Sequence, residues 1–253
     1  MKWLLIGVIG VLFTGSAGAT EPATSVVERL LSTYDGVQTV QAEIRRDTEG
    51  PSGKSRRLSR VYYKRPDQIH VEGVTPPRRR IVADGTHFYS YIDGDPKGYA
   101  RPIAALEGDW LISLRQIPGT PTDFLLRLRG QPEEPLPATD RFPTRIGVKV
   151  ESRYFVLSLD STGRLAQLEF FNDAPHGTPI ASYTYENYQE PTPGAWFPLV
   201  QRAVLRDGRD EVVETTRLSN LRVNQVVPDP LFLPDTFFKG VVFTDNLDDI
   251  YGR

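Results

Sequence analysis

The sequence contains no cysteine. That excludes a disulfide framework, a thiol nucleophile, cysteine metal sites and the lipidated cysteine that tethers a lipoprotein to a membrane. If the chain handles lipid, it is expected to do so as a soluble protein. Long apolar runs are missing too: the stretch from Trp3 to Phe13 is roughly half of the ~20 residues that a helix needs to cross a bilayer. Neither sign of charge dominates. There are 30 Lys and Arg against 32 Asp and Glu, a formal net charge of −2, and the basic residues are spread along the chain, so nucleic acid is not an expected partner. The three histidines, His70, His87 and His176, stand in separate segments without HxH or HExxH spacing. Each reads as surface or strand filling, and no metal site is expected. No G-x-S-x-G elbow, Walker loop or dinucleotide glycine pattern occurs, so no cofactor is implied and an enzyme is the least favoured reading.

What is present begins with Lys2, the apolar run and the small residues from Gly15 to Ala19. This is the pattern of a secretory signal peptide, residues 1–19, with cleavage expected after Ala17-Gly18-Ala19 and a mature, exported chain from Thr20. Residues 20–253 are long enough for one β domain with its own core.

Ser25 and Glu28 precede the apolar stripe Val27, Leu30, Leu31 and Tyr34, and Gly36 follows: a capping box, one amphipathic helix and a glycine stop. The stripe serves either plain core packing or the cover of a ligand cavity. The period then changes to two. Val40, Ala42 and Ile44 alternate with Gln41, Glu43 and Arg45, and Glu49-Gly50-Pro51-Ser52-Gly53 turns the chain toward Leu58, Val61 and Tyr63, predicting a long antiparallel hairpin over 37–48 and 56–64. Further strands are expected at 68–74, 79–84, 86–92, 98–102, 145–150, 153–159, 164–171, 179–188, 197–206 and 211–224, punctuated by Asp, Asn and Gly turn residues. No long helices alternate with them, so a parallel doubly wound sheet is disfavoured. Residues 103–140 break the pattern. Leu106, Trp110, Leu111, Leu114 and Ile117 recur at helical spacing, Thr120-Pro121 opens a second apolar segment with Phe124, Leu125 and Leu128, and a Pro-rich stretch from Gln131 to Pro137 follows. The two short helices form either a lid over a concave sheet or a connection packed on it. Arg78 to Arg80 reads as a solvated strand start with a weaker reading as a contact for anionic head groups, and Asp245, Asp248 and Asp249 read as a solvated acidic tail.

The segment Tyr62-Tyr63-Lys64-Arg65-Pro66-Asp67, then Ile81-Val82-Ala83-Asp84-Gly85-Thr86 and the aromatics Phe88, Tyr89 and Tyr91, resembles the LolA family of lipoprotein carriers in order, spacing and residues. The likeness continues through Thr120-Pro121 to Leu128, Leu159 to Phe170, and Phe232, Pro234 and Gly240-Val241. It implies a mainly β (α+β) fold, an unclosed antiparallel β barrel or half-barrel, with an N-terminal helix and short inserted lid helices covering its concave apolar face. Acyl chains of a lipoprotein or another lipid would occupy that space. The resemblance makes Arg65 the latch that binds lid backbone in the empty carrier, and it places Ile69 near the cavity mouth. Leu30, Leu31, Tyr89, Tyr91, Trp110, Leu114, Phe124 and Leu125 are the other candidates for the cavity and lid. The implied partners are an inner-membrane ABC transporter and an outer-membrane receptor, with a periplasmic monomer between them. Extra residues in 103–140 and around Pro191 to Pro198 depart from the compact carriers, which leaves another envelope lipid open as cargo. A protein whose cavity is filled by its own side chains remains the rival from another class.

Overall fold

The computed structural model describes residues 25–208 and 210–246. The expected signal peptide, Asp248 and Asp249 lie outside them. The chain opens with α1 (Val26–Ser32) and continues as β1 (Thr39–Gly50), β2 (Gly53–Lys64), β3 (Gln68–Gly73), β4 (Arg79–Asp84), β5 (His87–Ile92) and β6 (Lys97–Pro102). Helices α2 (Gly108–Arg115) and α3 (Thr122–Leu128) follow. A second run of strands comprises β7 (Glu133–Leu136), β8 (Thr144–Val150), β9 (Arg153–Leu159), β10 (Leu165–Asn172), β11 (Ala181–Thr192), β12 (Ala195–Asp207) and β13 (Asp210–Val223), and β14 (Val242–Thr244) comes last. The strands form one open sheet of 14 in the order β14-β6-β5-β4-β3-β2-β1-β13-β12-β11-β10-β9-β8-β7.

That order dictates the position of the helices. The chain starts at the centre with β1, meanders out to β6, and resumes at β7 on the far edge before meandering back to β13, which pairs with β1. The segment between β6 and β7 must therefore cross the whole width of the curved sheet, and α2 and α3 are that crossing. Lid and connection, left as alternatives by the sequence, are the same piece of chain.

All twelve expected strands are present, and β7 and β14 are additions. β7 lies in the Pro-rich stretch; Pro135 has no N–H to give, which an edge strand with a single neighbour tolerates. β14 has three residues and pairs parallel to β6, too short for a period-two signal.

The capping box is half of what the spacing predicts. The Ser25 hydroxyl accepts from Glu28 N–H at 3.2 Å. The Glu28 carboxylate, however, turns to Arg129 at 3.1 Å, and Glu133 of β7 accepts from the N–H groups of Val26 and Val27, both at 2.8 Å. The start of α1 is thus fastened to the edge strand and to the end of α3, with a carboxylate at the positive end of the helix.

Three apolar clusters fill much of the concave side. Leu30 and Leu31 of α1 meet Leu125 and Leu128 of α3 over Ile146, Leu157 and Leu168. Tyr34, Val37, Tyr63, Phe197 and Leu218 form the centre. Leu106 and Leu114 pack with Ile103 over Val61, Ala83 and Phe88. On the outer, convex face the C-terminal segment lies across β3 to β6: His70 meets Phe237, Tyr89 and Tyr91 meet Phe238, and Phe243 of β14 packs on Tyr89.

Candidate functional site

Between the concave face and the α2–α3 turn lies a cavity of about 630 Å³. Its walls come from the inward-facing positions of β1 to β5 and β11 to β13, where Ile44, Val61, Ile69, Val71, Ile81 and Ile92 give an aliphatic lining. The opposite wall is the turn itself, Gln116 to Thr120 with Phe124. This turn is firmly built: Ile117 N–H donates to the Thr122 hydroxyl at 2.8 Å, the Thr120 hydroxyl donates to Ile117 O at 2.8 Å, and Gln201 Nε2 reaches from the sheet to Gly119 O at 2.8 Å. Gly119 has φ +80°, and a Cβ there would stand 2.2 Å from Leu218 Cδ2. Only glycine lets the turn approach the sheet this closely.

Of the residues expected at the cavity, Ile69 and Phe124 line it. Leu31 and Leu114 are spent in the core clusters. Leu30 and Leu125 are core residues that also reach a second cavity, of about 660 Å³, bounded by α1, the Asp160–Gly163 turn and Trp196. That space is bounded by α1 and hairpin ends, and it contains the Arg164 guanidinium, held by Asp160 at 2.8 Å and stacked between Tyr188 and Trp196. Trp110 sits on the rim, 45% exposed, against Phe88 and Tyr99. Tyr89 and Tyr91 are corrections. Successive strand residues alternate faces, so Phe88 and Ile92 point to the concave side while Tyr89 and Tyr91 point to the convex side under Phe238. The expectation followed the more aromatic parity of β5, which is the one covered by the C-terminal segment.

Arg65 lies in the β2–β3 turn. Its guanidinium donates to the carbonyls of Tyr34 at 2.9 Å and Asp35 at 3.4 Å. These belong to the turn after α1, so Arg65 grips the N-terminal helix rather than the inserted pair. Its neighbours complete a hub that the sequence did not reveal. Asp67 binds Arg115 at the end of α2 at 2.9 Å, and Lys64 binds Asp229 of the C-terminal segment at 2.8 Å. One turn therefore fastens α1, α2 and the C-terminal segment, through partners 30 or more residues apart in the chain.

Three titratable groups line the cavity or its back wall in unusual states, among them Tyr183, whose pKa burial raises. Burial pushes the Asp123 carboxyl pKa up, although Phe124 N–H and Arg127 oppose the shift. His70, behind the cavity on the convex face, is 2% exposed, and neither ring nitrogen has a hydrogen-bond partner among the described residues; burial and the nearby Arg80 charge lower its pKa to about 4. Among the described residues no cluster of three or more His, Cys, Asp or Glu could hold a metal ion, and no helix is long and apolar enough to cross a membrane. What the site offers chemically is a volume with an aliphatic wall on the sheet and charged or polar groups in the same lining, Arg46, Arg57, Asp123, Gln201 and Glu214 among them.

No protein-family model and no curated protein matches the sequence. Among solved structures the chain is similar to a LolA superfamily protein from Nitrosomonas europaea, with 16% identity, 84% of this chain and 98% of that chain covered, and a TM-score of 0.55. A DUF1329 family protein from Desulfovibrio piger aligns with 13% identity over 83% of this chain and 95% of that one, TM-score 0.55. A domain described as an outer membrane lipoprotein-sorting protein, from Vibrio parahaemolyticus, aligns with 12% identity over 83% and 95%, TM-score 0.55. Likeness at such identities speaks to architecture: the open half-barrel with its crossing helices has the LolA-like fold.

Proposed function

We propose that this chain is a periplasmic, non-enzymatic carrier that takes acyl chains into the cavity between the concave sheet and the α2–α3 turn. The observation that supports it is the cavity of about 630 Å³ with its aliphatic sheet wall beneath the crossing helices, which lies within the size range of small-molecule ligand sites. On this reading the cargo is an acylated lipoprotein moved from the inner to the outer membrane, loaded by an inner-membrane ABC transporter and released to an outer-membrane receptor. A second reading, a carrier for another envelope lipid on the same scaffold, is favoured by the charged and polar side chains in the cavity lining, Arg46, Arg57, Glu214 and Gln201 among them.

The energetics require a weakened grip. Each methylene removed from water contributes about 0.8 kcal/mol, so one fully buried acyl chain of ~16 carbons gains roughly 10 kcal/mol. A carrier that must also release its cargo cannot keep all of it. Closure of the helical layer in the empty state, held by Arg65 and by the Asp67–Arg115 pair, competes with ligand and lowers apparent affinity by the fraction of open molecules.

Native mass spectrometry with lipid extraction, on protein taken from periplasm without detergent, tests this reading. A bound acylated peptide or lipid is the expected result. An empty protein that also fails to bind an apolar dye would contradict it and assign the fold a structural role.

A further inference from the structure

The cavity under the α2–α3 turn has a capacity that its surroundings fix. A methylene fills about as much space as a water molecule in the liquid, roughly 30 Å³, so a volume of about 630 Å³ takes on the order of 20 non-hydrogen atoms. That is one acyl chain of about 16 carbons together with its ester. Two such chains, ~32 carbons before any head group, need roughly half as much space again.

The rest of the concavity offers no room for a second chain. Leu125 and Leu128 of α3, 1% and 0% exposed, fill the space toward α1, while Tyr63, Phe197 and Leu218 fill the centre. Leu106 and Leu114 cover Ala83 and Phe88. The wall opposite the sheet is seated as well, since Gln201 Nε2 holds Gly119 O at 2.8 Å and the bare Gly119 lets the turn rest against Leu218. The cavity of about 660 Å³ beside α1 is not an extension of this one, because no residue lines both. Polarity within the lining then orients an occupant. Ile69, Val71, Ile81 and Ile92 come from β3 to β5, and Gln201 and Thr216 come from β12 and β13 on the other side of β1.

We infer that this is a one-chain site: it encloses a single acyl chain, with its hydrocarbon along Ile69, Val71 and Ile81 and its ester toward Gln201 and Thr216, and any further chain of the same cargo stays outside. The amide and hydroxyl of those two residues are donors suited to an ester carbonyl. The inference rests on the acyl-chain reading above and sets how much of a cargo is held. Enclosing one chain of several also limits the grip, as release requires.

The test is the binding of lysophosphatidylcholines with chains of about 10 to 20 carbons, each below its micelle concentration, to delipidated protein. Native mass spectrometry counts the bound copies. Affinity should rise about tenfold for every two carbons and level off near 16, with one copy bound at saturation. Val71→Trp, which takes up part of the aliphatic end, should move the plateau to shorter chains; Ile81→Trp on the neighbouring strand gives the same reading if the first variant fails to fold by circular dichroism. Two copies of the 16-carbon lipid on one protein, or affinity still rising at 20 carbons, overturns the one-chain site and leaves the acyl-chain reading standing. A plateau that neither tryptophan variant moves places the chain outside this cavity and overturns the assignment. Uptake of none of the lipids removes the acyl-chain reading, and the one-chain site with it.

Discussion

At the scale of single residues, the contacts of Arg65 and the isolation of His70 lead to opposite kinds of expectation. Arg65→Leu removes two hydrogen bonds to the carbonyls that follow α1. Bonds from a charged donor are worth about 1.5–3 kcal/mol when buried, and this one is partly exposed, so α1 should open more easily by about 1–2 kcal/mol without global unfolding. Hydrogen exchange should speed up at residues 26–34 and cargo release should be impaired; unchanged exchange and unchanged release would remove the latch. His70 acts through pH. Its folded pKa, near 4, lies below the ordinary 6.5. The unfolded chain therefore takes up a proton as pH drops through 6.5, while the native state resists until about 4. Stability is unaffected above that window and falls by about 3 kcal/mol across it. His70→Phe, which keeps a ring between Tyr62 and Phe237, should flatten urea-unfolding stability between pH 6.5 and 4. Arg65 was singled out by its family-like Lys-Arg-Pro segment, but its grip on the turn after α1 rather than on the inserted helices was not visible there. The burial of His70 was not, because it depends on a C-terminal segment that returns over 160 residues later.

At the scale of elements, the α2–α3 turn is where sequence and structure meet most closely. The two helical segments were visible from their apolar spacing, but their role came from the strand order, since β6 and β7 lie on opposite flanks. Gly119 carries the consequence. Any side chain there requires a left-handed φ and displaces Leu218, so Gly119→Ala should lower unfolding stability by about 1–3 kcal/mol and lift the turn from the sheet. The loss of the Gln201 hydrogen bond to Gly119 O, read by amide exchange or a crystal structure, checks this; a turn that stays seated would mean that the close approach is tolerated. β5 shows the limit of pattern reading. Its alternation, His-Phe-Tyr-Ser-Tyr-Ile, is apolar on both faces because both faces are covered, one by the helices and one by Phe238 and Phe243. A period of two identifies the strand and leaves open which parity points inward.

At the scale of the molecule, a sheet of 14 strands that stays open needs something to cover its apolar concavity, and a chain that must return from one edge to the other supplies the cover. Twelve of the strands were legible from alternation and turn residues, and the half-barrel only through the resemblance to the LolA family. The cavity lining was legible only in part, as Ile69 and Phe124, because whether a helical leucine fills the concavity or borders free space is decided by the fit of α1, α2 and α3 against one another. The central claim is that an acyl chain occupies the space lined by Ile69, Val71 and Ile81. The most direct measurement is photocrosslinking with a phospholipid bearing a diazirine in its acyl chain, followed by mass-spectrometric mapping of the labelled residues. Labels on β1 to β4 positions facing the cavity and on Phe124, with none on Tyr89 or Tyr91, are the predicted result. Labels confined to the convex face, or to the second cavity around Tyr188 and Trp196, would contradict it.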